Sequence, residues 1–112
     1  MKKIEAIIRT EKLDEVKNAL QKQGIDGMTI SEVMGCGRQE GQQGIYRGVV
    51  YNITLHPRVK LEVILPDEAV DAVVEAIMES GRTGRAGDGK IIILPVEEIY
   101  RIRDRQSGRH AL

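Results

Sequence analysis

Residues 59–77 read VKLEVILPDEAVDAVVEAI, and the change of period inside this stretch decides the fold. Val59 to Leu65 is an apolar, alternating run that reads as a strand. Pro66 closes it, because proline cannot continue a ladder, and Asp67 is a suitable helix N-cap. Val70, Val73, Val74 and Ile77 then fall on one face of a helix. Beyond the helix lies a glycine-rich stretch, and a further apolar run from Lys90 to about Ile99 reads as the last strand. The other half of the chain repeats this order weakly. Lys2–Arg9 alternates as a strand, and Thr10 is a plausible N-cap. Leu13, Val16 and Leu20 recur at helical spacing, and Gly24 sits where a C-cap would. Met28–Met34 alternates again. The resulting order β-α-β-β-α-β predicts an α+β, ferredoxin-like sandwich, an antiparallel sheet with both helices on one face.

The chain has 112 residues, a length that suits one domain with a real core. Formal net charge is zero, with three Tyr and no Phe or Trp. Neither bulk attraction to nucleic acid nor an aromatic stacking platform is therefore expected. The single Cys36 excludes an internal disulfide and an all-cysteine zinc site, and reads as packing or loop filler. No apolar run is long enough for a membrane span and no signal-peptide core is evident, so a cytoplasmic protein is expected.

Two connections depart from ordinary loops. Hairpin loops usually hold about 2–5 residues, and structureless loops beyond about 12–15 are uncommon unless functional. The stretch between the second and third strands exceeds that and carries Arg38, Gln39, Tyr46, Arg47 and Tyr51. It reads either as a mobile binding arm or, since Val49, Tyr51, Ile53 and Leu55 alternate, as an extended hairpin. The second connection is Thr83-Gly84-Arg85-Ala86-Gly87-Asp88-Gly89-Lys90-Ile91. Its glycines permit tight turning and close backbone approach, and successive N–H groups in such a turn can form an anion-binding nest. Lys90, with Arg82 and Arg85 nearby, makes polyphosphate the first ligand to consider. A glycine-rich β-turn is the alternative.

With Met1-Lys2-Lys3-Ile4-Glu5-Ala6-Ile7-Ile8-Arg9, Gly35-Cys36-Gly37-Arg38-Gln39, Tyr46-Arg47-Gly48-Val49-Val50-Tyr51 and Arg101-Ile102-Arg103, the glycine stretch resembles the PII nitrogen-regulatory signal-transduction family over nearly the whole chain. The resemblance implies one PII-type domain over residues 1–112. It places a long flexible T-loop at about 37–55, a phosphate-binding loop at about 82–90 and a C-terminal tail at about 101–112. It implies a homotrimer that binds ATP or ADP competitively between subunits and, with Mg-ATP, 2-oxoglutarate. T-loop movement would then regulate protein targets such as an ammonium transporter, with recruitment to the membrane through it, or nitrogen-assimilation enzymes and regulators. A regulatory protein rather than an enzyme is implied, with at most a slow ATPase side activity.

Residue by residue, the resemblance assigns phosphate contacts to Gly87, Asp88, Gly89 and Lys90, to Arg38, and to Arg101 and Arg103 from the adjacent subunit. Arg101 and Arg103 alternate on what reads as a strand end, so they are expected to share a face. Ile7, Thr29, Gly35, Gly37, Glu62 and Ile64 match positions around the nucleotide. Gln39 matches the Mg²⁺ ligand, and a side-chain carbonyl is a suitable hard oxygen for that ion. Gln39, Gly41, Arg58 and Gly87 match the 2-oxoglutarate site. Tyr51 matches a tyrosine that some members have uridylylated.

The chain departs from the family pattern in places. Arg58 stands where the family usually has Lys, a swap that changes geometry although it keeps the charge. Val49 excludes the serine modification of part of the family. Val50 makes the loop tip more apolar. Thr10 stands where proline is common. Arg58 motivates an alternative, a PII-like adenylate-ratio sensor with a lost or altered 2-oxoglutarate response. A small phosphohydrolase on the same fold would have only His56 and His110 to use, neither with an evident orienting acid. An RNA-binding domain is opposed by composition.

Overall fold

A computed structural model describes residues 1–36, 44–46, 49–51 and 55–112, with 44–46 and 49–51 described by backbone alone. The elements are β1 (Lys2–Arg9), α1 (Leu13–Lys22), β2 (Thr29–Gly35), β3 (Gly44–Tyr46), β4 (Val49–Tyr51), β5 (His56–Leu65), α2 (Val70–Gly81) and β6 (Lys90–Pro95). Four strands form one antiparallel sheet in the order β2-β5-β1-β6, and among the described residues β3 pairs with β4 alone. This is the expected ferredoxin-like α+β arrangement. Within the long connection, Val49–Tyr51 is a strand paired antiparallel with Gly44–Tyr46, and Ile53 of the alternating run lies outside the described residues.

The core follows from strand period and helix period meeting on one side of the sheet. Ile4, Ala6 and Ile8 alternate along β1, and their partners Val63, Leu61 and Val59 alternate along β5. Val16 and Leu20 of α1 and Val73 and Ile77 of α2 close over them, and all of these side chains are buried. Lys3, Glu5, Ile7 and Arg9 project from the opposite face of β1, because successive side chains on a strand alternate sides. The chain thus separates a dry helix-covered face from a charged open face.

The helix ends show what short-range patterns captured. Gly24 has φ +81°. Its N–H donates to the Gln21 carbonyl, and the Ile25 N–H donates to the Leu20 carbonyl, each at 3.0 Å. That is a Schellman closure, with Ile25 and Leu20 both at the core. The N-caps differ from expectation. Thr10 and Asp67 each begin a 3-10 turn that leads into the helix, and neither side chain makes a capping bond. Asp67 instead accepts the Met1 amino group at 3.0 Å and Lys2 Nζ at 3.3 Å. A tertiary ion pair has replaced the local cap.

The last strand is shorter than its apolar run. β6 ends at Pro95, and the Val96 N–H makes the final bond to the Met1 carbonyl at 3.1 Å. Pro95 itself has no N–H to give the ladder. The tail is also ordered, not irregular. Tyr100 bridges Ser107, Arg101 N–H donates to Gln106 O at 2.8 Å, and Gly108 N–H donates to Ile99 O at 3.0 Å. Gly108–Ala111 forms a 3-10 turn, and Arg109 pairs with Glu68 beside α2. Arg101 and Arg103 therefore stand in a turn, where the period-2 argument for a shared face does not apply. Cys36 is exposed, which fits loop filler, of the two roles expected for it, and not packing.

Leu61 is fully buried and lies at the centre of the β5 register. Leu61→Ala is expected to lower stability by about 2–5 kcal/mol, the range for a leucine removed from a close-packed core, as read from denaturant unfolding curves.

Candidate functional site

The glycine loop after α2 is built around one carboxylate. Asp88 Oδ2 accepts the backbone N–H of Thr83 at 2.9 Å and of Gly84 at 2.8 Å. Asp88 Oδ1 accepts the Thr83 hydroxyl and, at 2.9 Å, Arg9 Nε from the end of β1. Arg9 Nη2 also donates to the Ala86 carbonyl at 2.7 Å. The Thr83 hydroxyl oxygen accepts the Arg85 N–H at 3.2 Å. These donors hold the Asp88 carboxyl well below the usual carboxylate range, with the Thr83 hydroxyl bond the largest cause and the Arg9 bond next.

This clasp changes the expected nest. The first amide groups of the loop, at Thr83, Gly84 and Arg85, turn inward on Asp88 and Thr83. The amides that the clasp does not engage begin at Gly87. Gly87 and Gly89 have φ +100° and +98°, backbone that side chains rarely adopt. At Gly89 there is a second constraint. A Cβ there would lie 1.7 Å from the Ile7 carbonyl oxygen. Only glycine lets the loop lie against β1 at that point.

Lys90 follows as the first residue of β6, exposed and directly opposite Ile7 in the ladder. A cleft of about 510 Å³ opens here, with Ile7, Ile77, Met78 and Ile92 among its walls and Asp88, Gly89, Arg82 and Lys90 around it. Four of the residues expected at a nucleotide site, Ile7, Asp88, Gly89 and Lys90, thus line one space. It has an apolar floor and cationic side chains, a combination that suits a flat apolar ring carrying anionic groups.

Thr29, Glu62 and Ile64 do not line that cleft. They share the open face of the sheet: Thr29 stands opposite Glu62, Glu62 opposite Glu5, and Ile64 opposite Lys3. Glu62 is paired with Lys60 at 3.2 Å and Lys3 at 3.6 Å, and Lys3 is paired again with Glu5 at 2.9 Å. The Lys60 bond is the foremost cause of a Glu62 carboxyl held below its ordinary range. One chain therefore presents two separate groups of expected nucleotide residues.

Arg58 stands opposite Arg9 across the β1–β5 ladder. Arg9 is neutralised by Asp88. Arg58 Nη1 donates to the Pro57 carbonyl at 2.8 Å, and no carboxylate pairs with it among the described residues. It lines a second cleft of about 380 Å³ with Thr10, Glu32, Val33 and Met34. Gly35 ends β2, opposite His56. In the tail, Arg101 is held by Asp104, with Nη2 to Oδ2 at 2.8 Å, whereas Arg103 is 81% exposed. Gly37, Arg38, Gln39 and Gly41 lie outside the described residues, as does the side chain of Tyr51. Among the described residues no cluster of His, Cys, Asp and Glu could hold a metal ion.

Sequence reasoning missed Arg9 and Thr83. The Thr83 to Asp88 spacing carried a usable signal, since an aspartate in a glycine-rich turn commonly closes on nearby backbone N–H groups. Arg9 carried none, because its partner lies 79 positions away.

Two outcomes follow from the clasp. Gly89→Ala is expected to cost at least about 2 kcal/mol in thermal unfolding, since strained backbone alone costs about 1–3 kcal/mol and the Cβ clash adds to it. The Asp88 contribution has the sign of a depressed acid. It is complete above the ordinary carboxyl value of 3.8 and is lost only as pH falls below that value. The melting temperature of Asp88→Asn is therefore expected to lie below that of the unmodified chain from pH 7 to pH 5, and the gap to narrow as pH is lowered through 3.8.

Comparison with known proteins agrees with this geometry. The family described as "Nitrogen regulatory protein P-II" matches residues 1–106. A "Nitrogen regulatory protein P-II" of Cereibacter sphaeroides is 53% identical over 112 residues, covering all of both chains. That of Rhizobium meliloti is likewise 53% identical with full coverage. A "Nitrogen regulatory protein P-II 2" of Methanothermobacter thermautotrophicus is 54% identical over 112 residues, covering this whole chain and 97% of that one. With its ferredoxin-like sheet and clasped glycine loop, the chain belongs to the nitrogen regulatory P-II family.

Proposed function

We propose that this protein is a trimeric sensor of carbon, nitrogen and energy status, with ATP and ADP competing for one site between subunits. The observation that carries the proposal is the cleft under the glycine loop, walled by Ile7 and Ile92 and ringed by Lys90, Arg82 and the loop backbone. Adenine would lie against the apolar wall. The phosphates would face the backbone N–H groups from Gly87 onward and the Lys90 ammonium, where charge-assisted hydrogen bonds are strongest. Arg38 would add a further phosphate contact.

The separation of Thr29, Glu62 and Ile64 from this cleft supports a site completed by a second copy. A neighbouring subunit would bring those three residues to the nucleoside, and its Arg101 and Arg103 to the phosphates. Gln39 would ligate Mg²⁺ beside the terminal phosphate. 2-Oxoglutarate would bind with Gln39, Gly41, Gly87 and Arg58, its carboxylate meeting the Arg58 guanidinium, which has no carboxylate partner among the described residues. The segment at about 37–55 would then change conformation and engage or release a target, an ammonium transporter or an enzyme or regulator of nitrogen assimilation. Tyr51 would be open to uridylylation on that segment. Among the described residues no helix is long and apolar enough to cross a membrane, so a cytoplasmic protein recruited to the membrane by its target fits the reading.

A second reading is favoured by Arg58 itself. It stands beside Arg9 and donates to its own neighbour's carbonyl, and its planar fork cannot reproduce a lysine's point contact. A sensor of the adenylate ratio alone would result if 2-oxoglutarate were not accommodated.

Calorimetric titration of 2-oxoglutarate with Mg-ATP and again with Mg-ADP tests both. Binding only with Mg-ATP is the expected result, and no binding in either state, with ATP itself bound, selects the second reading. Lys90→Ala is expected to weaken ATP about 10- to 100-fold, the loss of one charged hydrogen bond of about 1.5–3 kcal/mol. Unchanged ATP affinity in that variant would count against the cleft as the phosphate site.

A further inference from the structure

The tail turn contains a group that the nucleotide reading does not use. We propose that Asp104 is a positioning residue for bound polyphosphate, holding the Arg101 guanidinium in one orientation so that its remaining donors are presented as a preformed fork. The inference rests on the proposed nucleotide site, in which Arg101 meets phosphate.

The geometry is specific. Arg101 Nε donates to Asp104 Oδ1 at 3.0 Å and to Oδ2 at 3.1 Å, and Nη2 donates to Oδ2 at 2.8 Å. Asp104 thus engages one edge of the guanidinium. Of the five N–H donors of an arginine, it leaves both on Nη1 and one on Nη2, the pair of nitrogens that can meet two phosphate oxygens at once. The carboxylate is itself fixed, because Oδ1 accepts the Gln106 N–H at 3.2 Å. The turn around it is closed by Arg101 N–H to Gln106 O at 2.8 Å and Arg105 N–H to Arg101 O at 2.9 Å. Arg105 takes φ +61° to make this turn.

Arg103 supplies the contrast within the same turn. Its Nη2 is 3.8 Å from Asp104 Oδ2, beyond hydrogen-bond reach, and its side chain is 81% exposed. Arg103 can attract a phosphate but must lose side-chain freedom to hold it. Arg101 has already lost that freedom in the folded chain, so less is lost on binding. Asp104 does lower the local positive charge, but a carboxylate anchored by backbone is built to orient its partner. The two arginines would divide the work, one steering and one clamping.

The test is a double-mutant cycle. ATP with Mg²⁺ is titrated calorimetrically into the unmodified chain, into Asp104→Asn, into Arg101→Ala and into the double variant. Arg101→Ala is carried to millimolar ATP, since Lys90 and Arg103 remain. Asparagine keeps an oxygen for the Gln106 N–H and so keeps the turn, while losing the paired acceptors of the carboxylate. Asp104→Ser, which also keeps an acceptor, is the second variant, and thermal melts check that each is folded. Asp104→Asn is expected to weaken ATP about 3- to 10-fold, with no further loss once Arg101 is alanine. Unchanged or tighter binding in Asp104→Asn would overturn the proposal, the tighter result meaning that the carboxylate masks charge. A loss of the same size without Arg101 would also overturn it, because the effect would then run through the turn as a whole. Failure of the unmodified chain to bind ATP would instead overturn the nucleotide reading, and this inference with it.

Discussion

The position of the glycine loop depends on the bond between Arg9 and Asp88. Asp88 gathers the start of the loop through Thr83 and Gly84, and Arg9 ties that carboxylate and the Ala86 carbonyl to the end of β1. Arg9 is 13% exposed and Asp88 23%, so the pair is more shielded than a surface ion pair, which contributes little. β1 is also the strand that joins β5 to β6 and carries Ile4, Ala6 and Ile8 into the core. The loop is therefore fastened to one of the two central strands of the sheet. Gly89 makes the fastening close, because no other residue fits against the Ile7 carbonyl.

The two faces of the sheet have different roles for the same reason that strands alternate. Burial of the helix-covered face supplies stability. The open face carries Ile7 and Arg9 on β1, Arg58, Lys60, Glu62 and Ile64 on β5, and Lys90 on β6. Lysine and glutamate alternate there as a ladder, with Lys60, Glu62, Lys3 and Glu5 linked in sequence by ion pairs. A face with that much fixed charge is poorly suited to bury a helix. It is well suited to hold polar groups in register beside a cleft.

Much of the fold was legible because it depends on local period. The switch from strand alternation at Val59–Leu65 to helical spacing at Val70–Ile77 is written in the sequence, and so is the closing glycine at Gly24. Expectations failed where a distant group intervened. Asp67 does not cap its helix because the Met1 amino group and Lys2 reach it first. β6 ends before its apolar run does, at Pro95, which has no N–H to give the ladder. Arg101 and Arg103 read as strand residues because alternation of Arg, Ile and Arg looks the same in a turn. The family resemblance named Gly87, Asp88, Gly89 and Lys90 together, yet the side chain of Asp88 turned out to organise the loop from within.

The sequence by itself determined the order of elements, the residues of the core, the glycine loop and the family to which the chain belongs. Each of these is carried by spacing along the chain or by short runs of residue types. Only the tertiary structure decided which donors the Asp88 carboxylate takes, that Arg9 is among them, and that Ile7 and Lys90 wall one cleft while Thr29, Glu62 and Ile64 lie apart from it. Those facts depend on strand register and on contacts between residues far apart in sequence. Local period is blind to both, because hydrogen-bond partners across a sheet are set by which strands meet and not by their spacing along the chain.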